Sequence, residues 1–166
     1  MSISERATDI ALHKSALRAE ILHELRTIAA EDRKERSRII CRRILESGAW
    51  QNSERVLLFS PMRTEPDIAQ LEPAAQASGK LTAIIPTTLR HEQELELTFT
   101  PDLVIVPGLA FSRDRHRMGR GGGFYDRLLA GRARDACKIG VCFALQLRDS
   151  IPHAAHDVVL DQVISG

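Results

Sequence analysis

Apolar positions along this chain switch between two periods. From about residue 8 to residue 30, Leu12, Leu17, Ile21, Leu25 and Ile28 recur at near-helical intervals. This predicts one long amphipathic helix, with Thr8 or Asp9 as its cap. Residues 32–47 repeat the pattern through Ile39, Ile40, Ile44 and Leu45, and Gly48 offers a C-terminal stop. Short apolar runs at 56–59, 81–85, 103–106, 139–143 and 158–164 read as strands, several of them buried on both faces. Residues 67–78 look helical, with Pro73 kinking the run or starting a new turn and Gly79 closing it, and 124–129 form another helix. Leu95-Glu96-Leu97-Thr98-Phe99 alternates as a half-exposed or edge strand would. Strands alternating with helices predict an α/β fold. The expectation is a single Rossmann-like domain over residues 1–166, a three-layer α/β/α sandwich around a mainly parallel sheet, with 1–13 an extra N-terminal helical turn or tail.

Composition narrows the class. The chain has 166 residues, 43% of them hydrophobic, enough for one ordinary core, and its net charge is only +1. A near-neutral balance argues against broad nucleic-acid or membrane-surface binding. No run approaches the roughly 20 apolar residues of a membrane span, and no signal-peptide core is seen, so a cytoplasmic location is expected. Cys41, Cys137 and Cys142 lack CxxC spacing and read as reduced, mostly buried thiols. The sole tryptophan, Trp50, is expected to pack the second helix.

Charge is concentrated around one loop. Between residues 113 and 134 the chain carries seven arginines against Asp114 and Asp126. Within that stretch, Met118-Gly119-Arg120-Gly121-Gly122-Gly123-Phe124-Tyr125-Asp126-Arg127 follows an apolar strand and runs into an apolar helix. Clustered glycines let backbone N–H groups converge on an anion, and the helix adds its positive end. The spacing fits neither common phosphate motif. No Lys-Ser or Lys-Thr closes the run as a Walker A loop requires, and Phe124 stands where G-x-G-x-x-G needs its last glycine. Arginines for phosphate and a carboxylate for a hard cation point to a nucleotide with magnesium.

Val106-Pro107-Gly108-Leu109-Ala110-Phe111, followed by Arg117 through Arg127, resembles the signature of 5-formyltetrahydrofolate cyclo-ligases, also called methenyltetrahydrofolate synthetases. Lys14-Ser15-Ala16-Leu17-Arg18 is similar to that family's opening motif, and Phe59-Ser60 with Glu65 to its first strand and acidic turn. Residues 139–146, then His156-Asp157 and Leu160-Asp161, resemble its closing segment. The resemblance implies an enzyme that uses ATP and Mg2+ to phosphorylate the formyl oxygen of 5-formyltetrahydrofolate, after which N10 closes the ring. It implies a nucleotide site of Lys14, Arg18, Arg117, Met118, Gly119, Arg120, Gly121, Gly122, Gly123, Phe124 and Tyr125. Arg117, Arg120 and Tyr125 would be catalytic, Ser60, Glu65 and Tyr125 would meet the reduced folate, and Asp126 and Asp157 would hold magnesium.

Each assignment has a plainer counterpart. Lys14 and Arg18, at i and i+4, also make an ordinary solvated basic face. Glu65 could be an exposed turn residue, Tyr125 a packing residue, and Asp126 a helix cap or a partner of Arg117 or Arg127. Gln146 could bond substrate or cap a strand end. The chain also departs from the family: 87–102 is shorter than the usual insertion that contributes to the folate pocket, which is expected to remove pocket wall, and Phe124-Tyr125 replaces paired tyrosines. A relative that keeps the Mg-ATP site but takes another small substrate, or only binds, is the alternative. Oligonucleotide binding ranks last.

Overall fold

The computed structural model describes residues 3–154 and 157–166; His156 of the closing motif lies outside them. Five strands form a wholly parallel sheet in the order β2-β1-β3-β6-β8, where β1 is Arg55–Phe59, β2 Leu81–Ile85, β3 Leu103–Val106, β6 Cys137–Cys142 and β8 Gln162–Ser165. The runs 56–59 and 103–106 are buried throughout, as expected of central strands. Helix α4 (Leu71–Ala77) connects β1 to β2 in one direction, and α5 (Phe124–Ala130) connects β3 to β6 in the other. Right-handed crossovers therefore put these helices on opposite faces of the sheet. The α/β layering matches the expectation. The strand order reverses between β1 and β3, and there the carboxyl ends open a crevice for ligand.

Two long helices precede the sheet. α1 (Ile3–Thr27) buries Ile21 and Leu25, while α2 (Ala30–Glu46) buries Ile40, Cys41 and Ile44. Arg33 of α2 donates to the carbonyls of Leu25 and Ile28, satisfying acceptors that the end of α1 leaves over. Several local expectations are overturned. The helix runs through Thr8 and Asp9 from Ile3, so neither caps it, and residues 3–13 continue the same helix. Gly48 does not stop α2. Ser47 caps both α2 and a one-turn helix α3 (Gly48–Gln51), which carries Trp50 into the core. β2 is the sheet edge, with Leu81 and Ile84 exposed. Residues 67–70 precede the α4 helix, and 158–161 precede β8.

A second sheet escaped the sequence. β4 (Ala110–Ser112) pairs antiparallel with β5 (Arg117–Met118) and parallel with β7 (Leu147–Arg148). Two- and three-residue strands are too short for a period to show. Residues 95–99 form no strand. Leu95 is buried because its segment lies against the chain after α5, where the Arg132 guanidinium holds the carbonyls of Glu92 and Leu95. Alternating burial there comes from packing, without a ladder. All three thiols are free, and burial pushes each above its ordinary pKa, that of Cys142 to about 12, so they act as apolar filling.

Gly140, in the middle of β6, shows how tightly the two sheets meet. A Cβ there would lie 2.6 Å from both Phe111 Cε1 and Leu160 Cδ1. Overpacking of this kind costs about 1–3 kcal/mol. Gly140→Ala is expected to lower the unfolding free energy by that amount, read as a lower urea midpoint at an unchanged m-value, which equilibrium unfolding checks.

Candidate active site

The glycine loop is shaped by its own flanking side chains. Gly121 and Gly123 have φ of 104° and 69°, in the left-handed region, and Gly123 starts α5, a helix of only seven residues. Arg117 runs beneath the loop. A Cβ on Gly119 would be 2.8 Å from its Nη1, and one on Gly108 would be 3.0 Å from its Cγ. Gly119 is thus small because the buried Arg117 fills the space, and Gly108 because Phe111, whose Cζ would lie 2.7 Å from a Cβ there, fills it together with Arg117.

These segments enclose a cavity of about 380 Å3 at the carboxyl ends of β1 and β3, where the strand order reverses. Lys14, Arg18, Ser60, Glu65, every residue from Arg117 to Asp126, and Asp157 all line it. The structure therefore brings together every residue that the resemblance assigned to nucleotide, folate or magnesium. Lys14 Nζ lies 3.1 Å from Asp157 Oδ2, and Arg18 Nε donates to the carbonyl of Gly119 at 2.9 Å. α1 is thereby fastened to both the closing segment and the loop. The basic face of α1 serves the cavity. Asp126 pairs with Arg117, Nη2 to Oδ1 at 3.0 Å, rather than with Arg127.

Glu65 is no exposed turn residue. It is 8% exposed, its Oε2 accepts from the Met62 backbone N–H at 2.8 Å, and its Oε1 lies 3.5 Å from Arg120 Nε. Arg120 also donates to Thr64 Oγ1. Tyr125 stands edge-on to Phe124, with the Arg117 guanidinium 5.4 Å from its ring centroid. Burial first, and the Glu65 charge second, push its phenol well above the usual range. Tyr125 is protonated at working pH, a hydrogen-bond donor rather than a base. Gln146 is absent from the cavity. Its amide accepts from Phe143 N–H and donates to the carbonyls of Gly108 and Leu109, so it fixes strand ends.

The local excess of arginine is mostly spent elsewhere. Arg113 pairs with Asp149, Arg134 with Asp135 and Arg127 with Glu92, while Arg115 and Arg132 bond backbone carbonyls. Of the seven, only Arg117 and Arg120 line the cavity. Its charge is drawn from three parts of the chain, and it includes Arg90, which no motif marked. Thr87, Leu89 and Arg90 build one wall, so the short stretch from 87 to 102 supplies a wall where its loss was expected.

Among the described residues no three His, Cys, Asp or Glu side chains form a metal cluster. Asp126 and Asp157 nevertheless face one cavity, and a magnesium ion commonly takes only one or two carboxylates beside phosphate oxygens and water. No described helix is long and apolar enough to cross a membrane.

Comparison with known proteins follows the same segments. Residues 11–101 and 73–166 match the 5-formyltetrahydrofolate cyclo-ligase family. The mouse 5-formyltetrahydrofolate cyclo-ligase is 26% identical over 187 aligned positions, which take in 91% of this chain and 92% of that protein. Its Mycoplasma pneumoniae counterpart is 23% identical over 163 positions, covering 93% of this chain and 99% of the other, so that relative is about as short. The solved 5,10-methenyltetrahydrofolate synthetase of Aquifex aeolicus has a TM-score of 0.77 at 25% identity, covering 92% of this chain and 89% of its own. The Mycoplasma pneumoniae synthetase structure shares the fold, with a TM-score of 0.76 at 22% identity over 91% of this chain and 97% of its own. With matches running through both halves of the sequence and a common fold, the chain belongs to the 5-formyltetrahydrofolate cyclo-ligase family.

Proposed function

We propose that the protein uses ATP to close 5-formyltetrahydrofolate into 5,10-methenyltetrahydrofolate, releasing ADP and phosphate. One observation carries this reading: α1, the end of β1, the glycine loop and Asp157 converge on a single cavity at the sheet's switch point. The chemistry explains why cations dominate there. An amide-like formyl oxygen leaves poorly, so the γ-phosphoryl group of ATP is first transferred to it. N10 then attacks the activated carbon, the carbon–oxygen bond breaks, and the oxygen departs within phosphate. Such a sequence needs alignment and neutralisation of phosphate charge more than proton shuttling.

Lys14, Arg18, Arg117 and Arg120 supply that neutralisation in this proposal. Arg117 is already fixed by Asp126 and by the Pro107 carbonyl, so little reorganisation is required of it. Asp126 and Asp157 would hold magnesium together with phosphate oxygens. When bound, the ion would screen the β- and γ-phosphate charges. Tyr125, kept protonated, donates a hydrogen bond to an anionic oxygen. Each Glu65 oxygen has one protein partner and a lone pair to spare, suited to the paired 2-amino and N3–H donors of a pterin, with Ser60 beside it.

The test is ATP consumption with and without 5-formyltetrahydrofolate. ADP release that depends on the folate and matches appearance of the methenyl chromophore is the expected result. ATP binding by intact protein, with no ring closure at any folate concentration, would set the proposal aside in favour of another small substrate.

A further inference from the structure

Five cationic side chains line the cavity: Lys14, Arg18, Arg90, Arg117 and Arg120. Three of them are matched there by Asp157, Asp126 and Glu65. Arg18 and Arg90 make only backbone-carbonyl hydrogen bonds among the described residues. Arg18 is fastened to the glycine loop, beside Gly121. Arg90 stands on another wall, past the end of β2, with Leu89 next to it and the edge of the sheet beyond.

Arg90 is held in place by its surroundings. Its Nη1 donates to the Thr87 carbonyl at 3.1 Å, and its own carbonyl accepts from Arg127 Nη2 at 3.4 Å. The same Arg127 guanidinium reaches the Gly122 carbonyl at 3.0 Å and Glu92 Oε2 at 2.8 Å. Glu92, two residues from Arg90, is 9% exposed at its side chain, and the hydrogen bond from Arg127 holds its carboxyl below the usual range. Gln93 takes its other oxygen. The nearest carboxylate in sequence is thus committed elsewhere, and the charge of Arg90 stays available at the cavity mouth. Arg90 is exposed and its guanidinium is tethered through one nitrogen, which leaves its other donors free at a partly apolar wall to take a planar carboxylate.

We infer that Arg90 binds the carboxylate end of the substrate, the glutamyl part of the reduced folate, and so sets preference for substrates carrying an acidic tail. This rests on the folate reading above. The pterin end would face Glu65 and the tail would point to Arg90, leaving Arg18 and the loop to the nucleotide.

Steady-state kinetics on the purified full chain test it with two substrates, 5-formyltetrahydrofolate and the tail-less 5-formyltetrahydropteroyl amide, which keeps N10 and the p-aminobenzoyl ring but lacks the glutamate, and calorimetry follows binding of p-aminobenzoylglutamate. Arg90→Ala is expected to raise KM for the glutamate-bearing substrate about tenfold, weaken p-aminobenzoylglutamate similarly, and leave KM for the tail-less substrate at the wild-type value. Arg90→Lys should recover part of the loss, whereas Arg90→Gln should not. Equal KM changes for both substrates, or none, overturn the assignment while the folate reading stands. A rise confined to the KM of ATP also overturns it, because the anion would then be phosphate. Wild-type protein that neither turns over 5-formyltetrahydrofolate nor binds p-aminobenzoylglutamate overturns both.

Discussion

Arg117→Lys is expected to lower kcat/KM by about a hundredfold to a thousandfold while moving the melting midpoint little. The Arg117 side chain is 5% exposed and does three things at once. It donates to Asp126 Oδ1, donates to the Pro107 carbonyl, and lies over the Tyr125 ring. A lysine ammonium is a point charge that cannot keep this forked geometry. Removing one preorganised donor from a site of developing charge costs about 10²–10³ in rate. Asp126 is 41% exposed, so the ion pair adds only about 1 kcal/mol or less to stability. Rate should therefore fall far more than stability. Kinetics and a thermal melt on the same preparation separate the two effects. Activity within about threefold of wild type would reduce Arg117 to a source of charge.

The central fold was legible where burial is complete and long enough to leave a pattern. β1 and β3 are five- and four-residue runs of Val, Leu, Ile and Phe, apart from the exposed Arg55 that opens β1. The small second sheet was not legible, because β5 and β7 have two residues each: β5 owes its pairing to the chain folding back between Ser112 and Arg117, and β7 joins β4 in parallel from a distant part of the chain. Residues 95–99 gave a strand signal without a strand. Alternation records only which side of an extended segment is covered, and here the chain following α5 covers it. Caps misled at Thr8, Asp9 and Gly48 because side-chain chemistry permits a helix end without requiring one.

The cavity was legible wherever chemistry is contiguous in sequence. The glycine loop and the Lys14–Arg18 pair are local patterns, and the structure places them on one wall and one adjoining helix. Arg90 and the Glu92–Arg127 contact were not legible, since the two members of that pair stand 35 residues apart. The shortness of 87–102 pointed to a missing wall, yet length alone says little about where the remaining residues go. Two arginines, Arg127 and Arg132, draw this stretch against the α5 side of the cavity. The Mycoplasma pneumoniae relative, about as short, shows that length alone does not separate this chain from its family.

Gln146→Leu is expected to cost about 3–5 kcal/mol of stability. Gln146 is fully buried and satisfies three backbone groups: the N–H of Phe143 at 2.8 Å, and the carbonyls of Gly108 and Leu109 at 2.8 and 3.1 Å. Leucine fills similar space but leaves all three unpaired, and each buried unsatisfied group costs about 1–3 kcal/mol. Local relaxation will recover part of that sum. Because Gly108 forms part of the cavity wall over Arg117, activity should fall with stability even at temperatures where the protein stays folded. Gln146→Glu separates hydrogen bonding from packing. An ionised carboxylate can still accept from Phe143 N–H but faces two carbonyl oxygens with no proton to offer. Its folded pKa is thereby raised above the unfolded value of about 4.3. The folded state then holds the proton more tightly, so stability of this variant should be greatest at low pH and decline as pH rises through that window. Urea titrations of Gln146→Leu and Gln146→Glu between about pH 4 and pH 8 measure the difference, each referenced to the wild type at the same pH. If the gap between the two variants stays constant across that range, packing rather than hydrogen bonding at Gln146 holds the strand ends together.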